Sequence, residues 1–462
     1  VGVPGQKADR ALEIATRVVA ETMRGKWDVE PLGPGADAFE VTRSRRDKDV
    51  ALSTAWNYTY KLRGHRDVRT AEPSLTIPGH DLPEEWAAAF LTPAETLTAQ
   101  SRLKKDKPLP CAKNDFEWSL KLTRTDEAFG VPLPPGGKHQ GQGIVIGHPD
   151  TGYTHHPQIW DSSPRILTER GYDFEDGDPD ATDRLVTGVL RQPGHGTATS
   201  SVIMSSEDPA GPSGVSGVAP RAKLIPIRVT PTVVLFKFTK LAKAIYHAVD
   251  QGAHVISMSL GGPLKSDTLE RAVGYAVSKG VVVLAAAGNV WPWVVYPARL
   301  REVIAVGACN CDSKPWKKTA RGEAVDVSAP GEGVWRAGID VDRNQFTVGM
   351  GYGTSFAVAT VAGACALWLA YHGRGNLIRK YGRANIAAVF KDLLVTQAVR
   401  VPLGWKTDKD GAGILDTCWL LEAPLPATAP AGGMGGFAPQ ATGVSDELLS
   451  YFPEDDPARV LD

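Results

Sequence analysis

The sequence predicts an α/β fold: a parallel sheet with helices on both faces, preceded by a small α+β unit. Three observations carry that prediction. Compact apolar runs recur at Gly143–Gly147 (GIVIG), Lys223–Val229 (KLIPIRV), His254–Leu260 (HVISMSL) and Val281–Ala287 (VVVLAAA), and near-continuous apolar strands are those buried on both faces. Helical spacing separates them, with Leu241, Ile245, Ala248 and Val249 on one face and Leu269, Val273, Ala276 and Val277 on another. The first 80 residues follow a different grammar, one helix pattern and then short strand-like runs.

Taken in order, Leu12, Ala15, Val18, Val19 and Met23 lie at helical spacing, and Gly25 ends the pattern. Strand-like runs follow at Phe39–Thr42, Asn57–Leu62 and Val68–Pro73. Residues 1–80 thus form the small α+β domain. Residues 81–117 read as a connector, with a helix near Glu84–Phe90 and a solvated polar run, Ser101–Pro108. Residues 118–422 hold the α/β pattern. Residues 423–462 form a tail rich in Pro, Gly and Ala, a composition that cannot offset its own ordering entropy. The tail's last acidic and apolar segment, Asp446–Asp456, is a candidate for docking a protein partner. Ser355–Tyr371 is the nearest approach to a membrane span, but it is shorter than the roughly 20 residues needed and rich in Ala. It reads as a packed core helix.

With 42% hydrophobic and 22% charged residues, the chain has enough apolar content to build a core, which excludes a disordered chain. The charge balance, 51 − 52 = −1, supplies no field to attract nucleic acid or a membrane surface. Five Cys leave at least one thiol unpaired, and nothing in their number demands an oxidising compartment. No apolar leader follows Val1, so a cytoplasmic location is favoured over secretion.

Four short segments end a strand or open a helix: His148-Pro149-Asp150-Thr151-Gly152, Gly194-His195-Gly196-Thr197, Ala286-Ala287-Gly288-Asn289 and Gly351-Tyr352-Gly353-Thr354-Ser355. Singly, each reads as a cap or a turn. Together they supply what acyl transfer needs: a nucleophile, a base, a carboxylate to orient the base, and an oxyanion donor. Ser355 at a helix N-terminus sits where developing negative charge is favoured. His195 between glycines can approach it, and Asp150 lies at a strand's carboxyl end, where the ligand sites of parallel sheets gather.

The segments Asp150-Thr151-Gly152, Gly194-His195-Gly196-Thr197 and Gly353-Thr354-Ser355-Phe356-Ala357 resemble the three signatures of subtilisin-like serine proteases (subtilases), in that family's order. The likeness extends over Gly217–Ala222, Asp250–Gly262, Tyr296-Pro297-Ala298 and Ala329-Pro330-Gly331. It implies a subtilisin-like sheet and a serine endopeptidase. Ser355 would be the nucleophile, His195 the base, Asp150 its orienting carboxylate, and Asn289 with the Ser355 N–H the oxyanion hole. Ser259, Leu260, Gly261, Gly262, Ala287 and Gly288 would line the groove, Leu260–Gly262 pairing with the substrate backbone as an added strand. Residues 1–80 resemble a subtilase propeptide, an intramolecular inhibitor, with processing expected between Pro78 and Glu117 and Lys104-Lys105 as an exposed candidate. Protein or peptide is the implied substrate. The alternatives are a catalytically silent scaffold of the same fold, or a maturation protease dedicated to one partner recruited by residues 440–462.

Three departures stand out. Ala359-Thr360 replaces Pro-His in the helix after Ser355, a change that bears on packing. Trp291-Pro292-Trp293 follows the oxyanion Asn, and its indoles are expected to narrow the pocket for the residue before the cleaved bond. The reaction requires no cofactor and no metal site is assigned, although structural calcium is a family habit. Glu175, Asp176, Asp178, Asp180 and Asp183 offer carboxylates, but a solvated loop is the favoured reading over a Ca²⁺ site. Cys309-Asn310-Cys311 is too tightly spaced for a zinc hook and reads as buried or free thiols.

Overall fold

The computed structural model describes residues 8–33, 38–43, 52–73, 109–160, 165–188, 191–206 and 215–430. In the N-terminal unit the helix Ala8–Thr22 buries Ala11, Ala15, Val18 and Val19 along one stripe. It packs on an antiparallel hairpin, β1 (Trp27–Pro31) and β2 (Phe39–Arg43), and on a second helix, Leu52–Arg63. That second helix corrects the strand expected at Asn57–Leu62. Trp56, Tyr58 and Tyr60 alternate and favour a strand by propensity, yet Thr59 and Leu62 turn inward, and Leu62 joins a core with Val18, Val19 and Met23. Tertiary burial outweighs β-propensity here. Val68–Pro73 forms no strand either; β1, which the sequence reading passed over, supplies the pairing. The helix expected at Glu84–Phe90, the pair Lys104-Lys105 and the docking segment of the tail lie outside the described residues.

The main sheet is built from β3 (Val145–Asp150), β4 (Tyr172–Asp173), β5 (Lys223–Arg228), β6 (Val255–Met258), β7 (Val282–Ala286), β8 (Ile304–Cys309), β9 (Val327–Pro330), β12 (Val399–Arg400) and β13 (Ile414–Leu415). Their order is β12-β13-β9-β8-β7-β6-β3-β5-β4, parallel except for β12 against β13. β6, β7 and β8 are buried at every position, which is why they read as unbroken apolar runs. Helices cover both faces. Gly147 meets Ala248 of the helix Thr239–Asp250 on one side. The next residue of the pleat, His148, meets Thr199 of the helix His195–Met204 on the other. The helix Thr354–Tyr371 is the stretch that came nearest to a membrane span, and 94% of it is buried inside the protein. Its small side chains let it pack across β6 to β9.

β3 is where the strand order reverses, because β6 and β5 flank it although both follow it in the chain. The carboxyl ends of strands at such a switch point form a crevice. Asp150 ends β3, Ser259 follows β6, and Asn289 follows β7, so the topology alone gathers them.

A second antiparallel hairpin, β10 (Glu332–Asp340) and β11 (Gln345–Tyr352), leads directly into Ser355. The segment 110–118 straps it down: the Trp335 indole donates to the Ala112 carbonyl at 2.9 Å, and the Trp118 indole donates to the Gly333 carbonyl at 2.9 Å. Cys111 and Cys311 form a disulfide across 200 positions. This corrects the expectation for Cys311; of the Cys309-Asn310-Cys311 pair only Cys309 is a buried free thiol, beside Cys365 and Cys418. A partner so distant in sequence leaves no local pattern to read. Unreduced, denatured protein should therefore titrate for three thiols. Replacing Cys111 and Cys311 together by Ser should lower unfolding free energy by roughly 2–4 kcal/mol in a denaturant melt.

Candidate active site

Asp150 is fully buried. Its Oδ1 accepts the Thr151 N–H at 2.7 Å and lies 2.7 Å from His195 Nδ1. Burial pushes this carboxyl up, but the opposing charge and hydrogen bond of His195, then the neighbouring His148 ring and the Thr151 N–H, outweigh it and hold the group below the ordinary Asp range. His195 opens its helix, and Gly196 beside it lies so close to the Asp150 loop that a Cβ there would stand 2.0 Å from the Gly152 carbonyl oxygen. Any side chain at 196 would push His195 away from Asp150.

Ser355 occupies the first turn of the helix Thr354–Tyr371, where N–H groups lack partners within the helix. Its Oγ donates to the Ser259 carbonyl at 3.4 Å, while Ser259 Oγ donates back to the Ser355 carbonyl at 3.1 Å. Hydrogen bonds thus join Asp150 to His195 and Ser355 to Ser259; none links His195 to Ser355 in this resting arrangement.

Asn289 is oriented by two bonds. Its Oδ1 accepts the Thr354 N–H and the Thr354 hydroxyl, both at 2.9 Å. With Oδ1 so committed, the Nδ2 amide turns toward Gly353. A Cβ on Gly353 would sit 3.2 Å from Nδ2 and 3.7 Å from Ser355 Oγ, inside the space an oxyanion needs, and φ there is +155°. Both facts require glycine.

Thr354 was not assigned in the sequence reading, and neither was the network around Asp183. That carboxylate accepts the Thr151 hydroxyl at 2.7 Å and the Gly194 N–H at 2.8 Å, and Thr151 Oγ1 in turn accepts the Gly196 N–H at 3.1 Å. Burial pushes the Asp183 carboxyl up. It belongs to the scaffold that seats His195, apart from the acidic loop with which it was grouped. In that loop the guanidinium of Arg228 reaches Asp173 at 2.6 Å and Asp176 at 2.8 Å, Arg184 reaches Asp180 at 2.8 Å, and Lys240 reaches Glu175 at 2.6 Å. The Thr182 hydroxyl and Arg184 bring Asp180 down to about 2. Among the described residues, one cluster brings three metal-ligand side chains within reach of one another, Cys111, Cys311 and Asp312, and its sulfurs are spent in the disulfide.

The residues expected to line the groove are paired within the chain itself. Gly261 donates its N–H to the Val233 carbonyl at 2.9 Å and accepts the Leu235 N–H at 2.8 Å, and Gly262 exchanges both backbone bonds with Tyr296 at 2.9 Å. Leu260 is buried. The edge expected to take a substrate strand is therefore already paired with the chain's own segment Thr232–Leu235. That segment is held from its far side by the bridge between Arg191 and Thr232. Trp291 is buried, edge-on to Phe236, the residue that follows this segment, while Trp293 is half-buried. Ala287 pairs with Val306 and Val295, and Gly288 accepts the Ala320 N–H.

Residues 141–417, more than half of the chain, match the model of the subtilase family, peptidase S8. The chain belongs to that family. It is 34% identical over 267 residues to a thermophilic serine proteinase of Bacillus sp. strain AK1, a match covering 57% of this chain and 59% of the relative. It is also 34% identical to thermitase of Thermoactinomyces vulgaris over 237 residues, or 51% and 77% of the two chains. A solved protease structure from Pseudoalteromonas arctica superposes with a TM-score of 0.53 at 26% identity, covering 67% of this chain and 97% of that one. The parallel sheet with helices on both faces is thus the subtilase fold.

Two outcomes follow from this geometry. Asn289→Ala should lower kcat by about 10²–10³, the magnitude known for the equivalent loss in subtilisin itself. Leu235→Pro removes the N–H that bonds Gly261, so kcat/KM for peptides with three or more residues before the cleaved bond should rise about fivefold, the worth of one hydrogen bond. An amino-acid ester, which does not reach Gly261, should be cleaved at an unchanged rate.

Proposed function

We propose that this subtilase is a serine endopeptidase that works through Asp150, His195 and Ser355 and is restrained by its N-terminal domain. The observation that carries the reading is the 2.7 Å contact of His195 with a buried Asp150, at the same strand ends where Asn289 is locked onto the nucleophile helix. Asp150 fixes His195 with Nδ1–H toward itself, leaving Nε2 as the base. Ser355 Oγ leaves the Ser259 carbonyl, gives its proton to His195 Nε2 and attacks the scissile carbonyl carbon. The oxyanion is met by Asn289 Nδ2 and the Ser355 N–H. His195 returns the proton to the leaving amine, and water then releases the acyl group by the same steps reversed in role. No cofactor enters this sequence, and proteins or peptides are its substrates.

Restraint by the N-terminal domain is supported by Glu72. Its carboxylate accepts the Ser266 hydroxyl at 2.7 Å and the N–H groups of Asp267 at 3.0 Å and Thr268 at 3.1 Å, capping the helix Asp267–Ser278. Thr70 donates to Asp267 at 2.5 Å, and Lys243 meets Glu40 at 2.6 Å. The domain thus contacts both the helix Thr239–Asp250 and the start of the helix Asp267–Ser278. The disulfide supports an oxidising compartment for the folded chain, against the cytoplasmic location favoured by the sequence.

A fluorophosphonate probe should label the intact chain and leave Ser355→Ala unlabelled; equal labelling would refute the triad reading. Glu72→Ala should weaken the cap by about 1 kcal/mol and hasten the appearance of peptidase activity in a time course after refolding.

A further inference from the structure

His148 lies two positions before Asp150 on β3, so the pleat turns both side chains to the same face. The imidazole is 2% exposed, and its Nε2 is 3.8 Å from Asp150 Oδ2. That oxygen has no hydrogen-bond partner among the described residues, although Oδ1 has two. The same Nε2 is 2.8 Å from Thr199 Oγ1. Thr199 uses its only hydroxyl proton toward the carbonyls of His195 at 3.1 Å and Gly196 at 3.2 Å. Its oxygen is therefore an acceptor for His148, which assigns the proton to Nε2 and leaves Nδ1 bare, in agreement with the absence of any partner there. A neutral imidazole thus gives its one N–H to Thr199 and stands with that nitrogen 3.8 Å from the unpartnered oxygen of Asp150, beyond hydrogen-bond reach but with the electropositive edge of the ring beside it.

We propose that His148 is a positioning residue for the catalytic Asp150, its buried ring packed beside the second oxygen so that Oδ1 stays on His195, and the electropositive edge of that ring moderating the carboxylate's pull on the His195 proton. The proposal rests on the triad reading above. Burial lowers the pKa of His148, the effect that keeps it neutral beside a pair that must carry charge. The charged groups around it are few. His195 and Asp183 approach from the loop and helix above β3. On β5, Arg228 is committed to Asp173 and Asp176. β6 brings the uncharged Ser257, the Thr239–Asp250 helix packs on the opposite face through Ala248, and the Thr354–Tyr371 helix carries as ionisable groups only the buried thiol of Cys365 and the phenol of Tyr371 at its last position.

Removing the donor leaves Asp150 to be neutralised by His195 alone, which stabilises the imidazolium. His148→Leu should therefore move the acid limb of the kcat/KM profile to higher pH and lower kcat on the order of tenfold to hundredfold, with KM little changed. His148→Gln, whose amide can donate from the same place, should restore the limb and most of kcat. In the full chain carrying Ser355→Ala, the low-field proton resonance between His195 and Asp150 should titrate at higher pH when His148→Leu is added, a readout that needs no activity. If the Leu and Gln variants are equally impaired, or if the Leu variant loses only thermal stability while limb and resonance stay in place, His148 merely fills space and the proposal is wrong. Peptidase activity in Ser355→Ala alone would instead overturn the triad reading.

Discussion

A carboxylate taken out of water is the constraint around which this molecule is arranged. Asp150 has no exposure, and an isolated charge in that position would be costly. The fold answers by ending β3 where the strand order reverses, so that the Thr151 N–H, the His195 ring and the His148 ring all reach the one group. The same requirement explains why His195 sits at the very start of its helix, tied through Gly194 and Gly196 to Asp183 and Thr151.

The nucleophile side obeys a different rule. Ser355 is positioned by a helix that is buried along nearly its whole length, and the polar groups at the helix's start are satisfied by Asn289. Thr354 therefore does two things with one side chain: its hydroxyl donates to Asn289 Oδ1 beside its own N–H, and its oxygen accepts the Gly288 N–H. The Asp–His pair and the Asn289–Thr354 pair are held by separate sets of hydrogen bonds, and Ser355 Oγ rests on the Ser259 carbonyl.

Much of this was legible in the residues. The apolar runs at Val255–Met258 and Val282–Ala286 needed only their β-branched composition to be read as buried strands. Asp150, His195, Asn289 and Ser355 could be named because each sits in a short segment with its own Gly or Thr punctuation. What escaped reading depended on contacts across long stretches of chain. Cys111 finds Cys311 only in three dimensions, and Leu52–Arg63 becomes helical because Leu62 and Thr59 have a partner helix to face. Asp183 looked like one more acid in a run of five, yet burial and the Gly194 N–H set it apart. The segment Thr232–Leu235 carries no motif, and its pairing with Gly261 could not be seen before the fold was in hand.

The Cys111–Cys311 bond lies at the boundary between the connector and the body of the protein, and it decides what a single backbone cut would release. Scission ahead of residue 111 frees the N-terminal domain to diffuse away, while the new end stays moored through sulfur to the chain just beyond β8. Scission between 111 and 117 breaks the backbone yet leaves both fragments on one covalent body, parted only by a thiol reductant. A shift of a few residues in the nick thus separates a departing lid from a permanently leashed one.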